Sequence, residues 1–261
     1  MSDVAEKHGI QIFDLTQLLT VKGAPVVWTE TAHYDGVASV HNIAIDTAAG
    51  FAHAVGSNSG GESCGGGLHM IDIHVPTAPV FAGCGLDSTM EKSKTYIHDA
   101  QCVVYHGPDR RYKGRQLCIG AGAVGIQIID VTDKRAPKRL GVCNDCGSHQ
   151  GWLTDDDRFL YVDHEAGGDG ERGTRTSVLD LSDLTDPVVV KEYFGPTQAI
   201  DHNLYVRGHY VYDRLLRHDA QCEDRRTVRR CVEQLSVFQG RRGGHQQYQR
   251  GLVPGSVQAT G

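Results

Sequence analysis

Between Ile97 and Asp109 the chain reads IHDAQCVVYHGPD, which sets His98, Asp99, Cys102 and His106 close together. Imidazole, carboxylate and thiolate are the usual ligands of zinc, iron and copper, and imidazole and carboxylate also move protons. A single cluster of four is ruled out by reach. Along an extended strand, at about 3.3 Å per residue, His98 and Cys102 stand about 13 Å apart. His106 belongs to the turn that Gly107, Pro108 and Asp109 make. Only His98, with Asp99 beside it, keeps a case, and its partners must come from elsewhere.

They are found one period away. His41 in HNIAID, His98 in HDAQCVVY, His149 in HQGWLTDD and His202 in HNLYVRG follow each other at 57, 51 and 53 residues. Four imidazoles brought together could hold Zn, Fe or Cu. Asn42, Asp99, Gln150 and Asn203, with Asp201 as a further candidate, would then orient the rings. Two other readings stand beside this one. Each His can instead hydrogen-bond a neighbouring repeat and fix its packing, since a buried polar group must find partners. The third reading is catalysis.

A second marker keeps the same step. Apolar runs close on Asp14 (GIQIFDL), Asp72 (GLHMIDI), Asp130 (GIQIIDV) and Asp180 (TSVLDL), at spacings of 58, 58 and 50. Each is followed by a loop with a proline: Pro25, Pro79, Pro137 and Pro187. Self-similarity at this length is the signature of a propeller or solenoid. Within one period PVFAGC, AQCVVYH, RQLCIGAG and GIQIIDV read as four short strands, which matches a propeller blade. The fold predicted is all-β: an incomplete β-propeller with four-stranded blades of about 50–58 residues over 1–213. The only helical turn expected is at DLTQLLTV.

Composition agrees. The 261 residues include 32 glycines and only 7% aromatics, which favours short strands and turns. No apolar run reaches the roughly 18 residues of a membrane helix, so no membrane span is expected, and no signal peptide is visible in MSDVAEKHGIQIFDL. Eight cysteines point instead to an oxidising compartment. Cys102 and Cys118 flank a GPDRRYKG turn as a hairpin disulfide would, and Cys64 and Cys84 are expected to pair in the same way. CNDC, from Cys143 to Cys146, lacks the helix or second CxxC of a redox or zinc motif, and reads as a loop disulfide or two free thiols. The acidic loops at Asp155–Asp157 and Asp163–Glu171 read as solvated hairpin tips in preference to calcium loops. CGGG at Cys64 leads into a strand and has no Lys-Ser/Thr, so it is no phosphate loop. GAGAVG precedes a strand and reads as a turn. No His-Glu-x-x-His string occurs.

In this order and spacing, HGIQIFDLTQL, TAHYDG, HNIAID, CGGGLHMIDI, HDAQCVVYHGPD, HQGWLTDD, TRT and DHNLYV resemble the choice-of-anchor B family. Its members carry LVIVD-type repeats and are similar to β-propellers, and the resemblance runs from about residue 7 to 213. It implies an exported or cell-surface protein, with a signal peptide and further repeats ahead of the point where this chain begins. On that reading the N-terminus falls in mid-blade. The functional expectation is a non-enzymatic recognition or scaffold module for an unknown protein or surface ligand. The alternative is a metal-dependent hydrolase or oxidoreductase using His41, His98, His149 and His202.

After Asp213 the pattern stops. Residues 214–261 hold nine arginines, no lysine and four acidic residues, in a chain whose net charge is −6. A basic arm for nucleic acid is one reading of such a tail, and it is set aside here. Codons exist for Arg214 to Gln234 that, read one nucleotide later, encode ordinary strand and loop sequence. The segment is therefore expected to be an irregular, non-propeller tail, disordered or a frameshift product.

Overall fold

A computed structural model describes residues 8–23, 25–57, 61–86, 95–144, 146–147, 149–165, 173–195, 199–216, 232–239 and 248–250. Its strands are β1 (Ile10–Ile12), β2 (Ala32–Tyr34), β3 (Asn42–Asp46), β4 (Phe51–Val55), β5 (His69–Asp72) and β6 (Val80–Cys84). There follow β7 (Ile97–Val104), β8 (Gln116–Gly122), β9 (Gly125–Asp130), β10 (Lys138–Cys143), β11 (Gln150–Leu153) and β12 (Phe159–Asp163). The last are β13 (Arg175–Asp180), β14 (Val188–Phe194), β15 (Ile200–Arg207), β16 (Tyr210–Leu216), β17 (Val232–Gln239) and β18 (Tyr248–Arg250). The helical turn expected near the start is a 3-10 turn, Leu15–Thr20, capped by the Asp14 side chain.

After the β1–β2 pair, the strands form four consecutive four-stranded sheets, each connected in chain order: β3–β6, β7–β10, β11–β14 and β15–β18. All four strands read from the sequence between Pro79 and Asp130 exist, but the frame moves by one. PVFAGC becomes β6, the outer strand of the preceding sheet, paired with β5. The loop with the proline therefore joins the third strand to the fourth strand of one sheet and does not mark a new one.

The repeated aspartates have a local cause. Asp14, Asp72, Asp130 and Asp180 each accept, through Oδ1, the N–H two residues on, from Thr16, His74, Thr132 and Ser182 at 2.8–3.0 Å. This Asx turn ends the third strand of three sheets, and ends β1 in the same way. GAGAVG is the two-residue turn between β8 and β9, and CGGG is a 3-10 turn before β5.

The chain divides into two compact units, Met1–His106 with Arg110–Val142, and Gly107–Asp109 with Cys143–Gly261. In the first, β7 lies against β3 and β4. Val55, Leu68, Met70, Ile97, Cys102, Cys118, Ile129 and Val131 form the core there. Full burial of each large side chain is worth about 2 kcal/mol. Cys102 and Cys118 are directly paired across β7 and β8 and are disulfide-bonded. Cys64 is bonded to Cys84 on β6. In the second unit β15 lies against β11 and β12, around Leu204, Val206 and Val211 with Trp152 and Tyr161. Cys143 and Cys146 are bonded there.

The sequence pattern stops at Asp213, and the strands do not stop there. β16 runs through it, and β17 and β18 complete its sheet. Val232–Gln239, VEQLSVFQ, carries Val232, Leu235, Val237 and Phe238, with two β-branched valines and a phenylalanine that suit a strand. The rest of the arginine-rich segment, with Cys222 and Cys231, and residues 166–171 of the second acidic loop lie outside the described residues.

Candidate functional site

The four repeat histidines occupy one structural position. His41 and His149 immediately precede β3 and β11, while His98 and His202 lie within the first turns of β7 and β15. Thus each stands at the start of the first strand of its sheet. In β7 and β15 the pairing slips there, between Ile97 and Asp99 and between Asp201 and Leu204. Such bulges re-aim side chains that strict alternation would send to the wrong face. Asn203 takes φ +69° to make the second one.

In the first unit the His41 and His98 rings lie 3.9 Å apart, centroid to centroid. The residue after each makes the link between sheets: Asn42 Nδ2 donates to Asp99 Oδ2 at 2.7 Å, joining β3 to β7. Asp99 Oδ1 accepts from Ala100 N–H at 2.6 Å, so both carboxylate oxygens are engaged.

In the second unit the same position does the same job with different groups. Gln150 Oε1 accepts Leu204 N–H at 3.0 Å, joining β11 to β15. His149, almost fully buried, donates from Nδ1 to Asp163 Oδ2 at 2.9 Å. Asp163 also accepts Gln150 N–H at 2.8 Å and Asn203 N–H at 2.7 Å. One carboxylate, wholly buried at the end of β12, thereby ties β11, β12 and β15 together. The His149 and His202 rings are 4.9 Å apart. Glu165 Oε2 approaches His149 Nε2 at 3.9 Å.

Behind Asp163 lie two further buried carboxyls, Asp201 on β15 and Asp213 on β16, 0% and 1% exposed. Among the described residues no donor meets hydrogen-bond geometry at either Asp201 oxygen or at Asp213 Oδ1. The Thr174 hydroxyl, Arg175 N–H and the two carboxyls themselves are close enough to interact. Burial first, then the Asp163 charge, pushes Asp201 up to about 7. Burial first, then the Asp201 and Asp163 charges, pushes Asp213 up to about 9. Two such groups share a proton more readily than they both ionise.

The sequence singles out Asp201 by its place beside His202, and does not single out Asp163 or Asp213 as site residues. A signal is present: FLYVD is an apolar second strand that closes on Asp163, and YVYD opens β16 with an apolar run that reaches Asp213 before the strand continues. The acidic tip at Asp155–Asp157 is a hairpin end. Asp155 accepts Gly208 N–H at 3.2 Å, and Asp156 accepts the Thr154 hydroxyl at 2.6 Å. Among the described residues, no helix is long and apolar enough to cross a membrane. The disulfides are compatible with an extracellular location.

No protein-family model and no curated protein sequence matches the chain. Among solved structures it is similar to one titled Kuenenia stuttgartiensis Hydrazine Synthase, at 14% identity and a TM-score of 0.45. The match covers 80% of this chain and 53% of that one, so the chain spans about half of that structure's length.

Proposed function

We propose that the chain is a β-propeller segment of the choice-of-anchor B kind, built from LVIVD-type repeats. Its role is that of an exported or surface-displayed, non-enzymatic module that recognises or scaffolds a protein or surface ligand. The observation that carries this is how the polar repeat positions spend their bonds. Asn42 to Asp99 in one unit, and Gln150 to Leu204 in the other, fasten the first strands of successive sheets. A set that binds or converts a ligand keeps donors free to meet it, and these are committed to the protein's own strands. The two disulfides of the first unit suit an oxidising destination.

One observation favours the second reading, a metal-dependent hydrolase or oxidoreductase. The Asp163 carboxylate fixes the His149 tautomer with Nε2 as the lone-pair nitrogen, the arrangement that supports a metal-bound imidazole. Elemental analysis of the full chain, purified without chelator, decides between them. No stoichiometric metal, together with a thermal transition lowered equally by N42A and Q150A, supports the module. Stoichiometric zinc, iron or copper that is lost on His149→Ala overturns it in favour of the metal site.

A further inference from the structure

Outside the repeat histidines, the first unit buries a second imidazole against a disulfide. His53, on β4, is 1% exposed, and its Nδ1 lies 3.7 Å from Cys118 Sγ. Nδ1 or Nε2 of His53 and the sulfurs of Cys102 and Cys118 all fall within 4.8 Å of one another, and all three residues are buried. Burial holds His53 neutral, aided by the Lys134 ammonium nearby, and pushes it down to about 3. A neutral imidazole is the form that binds metal.

Gln127 supplies an independent sign. It is wholly buried, and among the described residues neither its Nε2 nor its Oε1 has a hydrogen-bond partner. In the register, Ile129 faces Cys118 and Gln127 faces Gly120, so Gln127 stands on the same face of the sheet as Cys118. It is two residues, about 7 Å, further along. A buried amide donor with nothing to donate to is costly unless another state of the protein supplies an acceptor. A thiolate sulfur is such an acceptor.

We propose that Cys102, Cys118 and His53 form a redox-gated site for a thiophilic d10 cation: a disulfide when oxidised, and a two-sulfur, one-nitrogen site for Cu⁺ when reduced. Reduction by a dithiol breaks the Sγ–Sγ bond, and two electrons and two protons from the dithiol leave two thiols on the protein and a disulfide on the reductant. Binding then releases the two thiol protons as the sulfurs and the imidazole take the metal. Among the described residues the cluster offers three ligands and no fourth. Zn²⁺ would have to recruit a water into a buried site to complete four-coordination, whereas soft thiolates suit Cu⁺.

The test uses the full chain, reduced with a water-soluble phosphine under nitrogen, desalted, and titrated with Cu⁺ against a chromophoric chelator. The expected result is Cu⁺ binding by the reduced chain and none by the oxidised chain. His53→Gln, which leaves the disulfide able to form, should weaken binding by at least about tenfold, the smaller end of what loss of even an outer partner does. Because other cysteine pairs also take up Cu⁺, alkylation mapping is read in parallel. Bound Cu⁺ should protect Cys102 and Cys118 in the wild type and leave them reactive in H53Q. Three results overturn the proposal: equal Cu⁺ affinity in H53Q, equal alkylation of Cys102 and Cys118 with and without metal, or a reduced chain that loses its β-sheet circular dichroism and does not regain it with Cu⁺.

Discussion

Replacing Asp213 by asparagine keeps the size of the side chain and removes one of two buried carboxyls that face each other. In the folded chain Asp201 is pushed up to about 7 and Asp213 to about 9, from an ordinary 3.8, mainly by burial and then by neighbouring carboxylates. The unfolded chain releases both protons near pH 4, and the folded chain keeps them. The favourable contribution is therefore fully present below about pH 4 and is lost as pH rises towards the folded values. Between about pH 4 and 7 the folded state holds two extra protons, a slope of at most about 2.7 kcal/mol per pH unit. Between about 7 and 9 only Asp213 holds one, about 1.4 kcal/mol per unit, and above about 9 no further loss follows. Water entering on local opening lowers these ceilings, so a realised loss of about 1 kcal/mol per unit per group is expected. The asparagine amide can donate to Asp201 without having to retain a proton that the unfolded chain gives up. D213N should thus be the more stable protein at pH 8, by about 4 kcal/mol, and the less pH-dependent one between pH 5 and 8. Guanidinium unfolding followed by circular dichroism at pH 5, 6, 7 and 8 measures this, and subtracting variant from wild type cancels every other ionisable group. Parallel profiles for the two proteins would refute the shared-proton argument.

Asn42→Ala strips the Asp99 carboxylate of its partner from the neighbouring sheet and should cost about 1–3 kcal/mol, read as a lower unfolding midpoint. Asp180→Ala removes the Asx turn to Ser182 and the Arg158 ion pair at 3.1 Å, and should cost about 1 kcal/mol in the same assay. Gly122→Ala would set a methyl group 2.1 Å from Tyr96 carbonyl oxygen and 2.8 Å from Ile97 Cα. It should cost more than 2 kcal/mol, or abolish soluble expression, because backbone and not a mobile side chain stands in the way.

What the sequence makes legible is what local rules decide. The apolar runs that close on Asp72, Asp130 and Asp180 mark third strands because an Asx turn needs only the aspartate and the residues just after it. Cys102 and Cys118 declare themselves as a pair because the hairpin between them is short, and the register sets them opposite each other. The histidine position repeats just as clearly, yet its partners are not legible. The bulges at His98 and at His202–Asn203 decide where those side chains point, and a bulge is fixed by packing between sheets. The frame of each sheet is hidden for a similar reason. β6 and its neighbour β7 are consecutive in the chain, and only hydrogen bonding assigns β6 to β5. Asp163 reads from the sequence as the start of a solvated acidic loop, and Asp213 as the end of the repeat, because neither shows locally that burial awaits it. On these second strands the aspartate points into the unit and not into a turn.

The two units solve one problem with different chemistry, and the difference has consequences. Each must bury the first strand of its second sheet against the sheet before it, and each fastens that contact with a polar residue that follows the repeat histidine. Around this common feature the first unit packs Met70, Ile97, Ile129 and a disulfide. Cross-linking across Cys102–Cys118 and across Cys64–Cys84, separated by 16 and 20 residues, removes roughly 3 kcal/mol of unfolded-chain freedom for each. The second unit packs Leu204, Val206 and Val211 in one apolar cluster and also buries three carboxyls, Asp163, Asp201 and Asp213, together with the His149 imidazole. Among its described residues, the Cys143–Cys146 disulfide closes a span of only three residues, too short to constrain much of an unfolded chain. Reductant should therefore loosen the first unit and leave the second nearly as it was, whereas alkaline pH should do the reverse. Hydrogen exchange measured strand by strand separates these responses. Equal deprotection of β8 and β12 by reductant would mean that the two cores do not rest on the separate chemistry that their residues display.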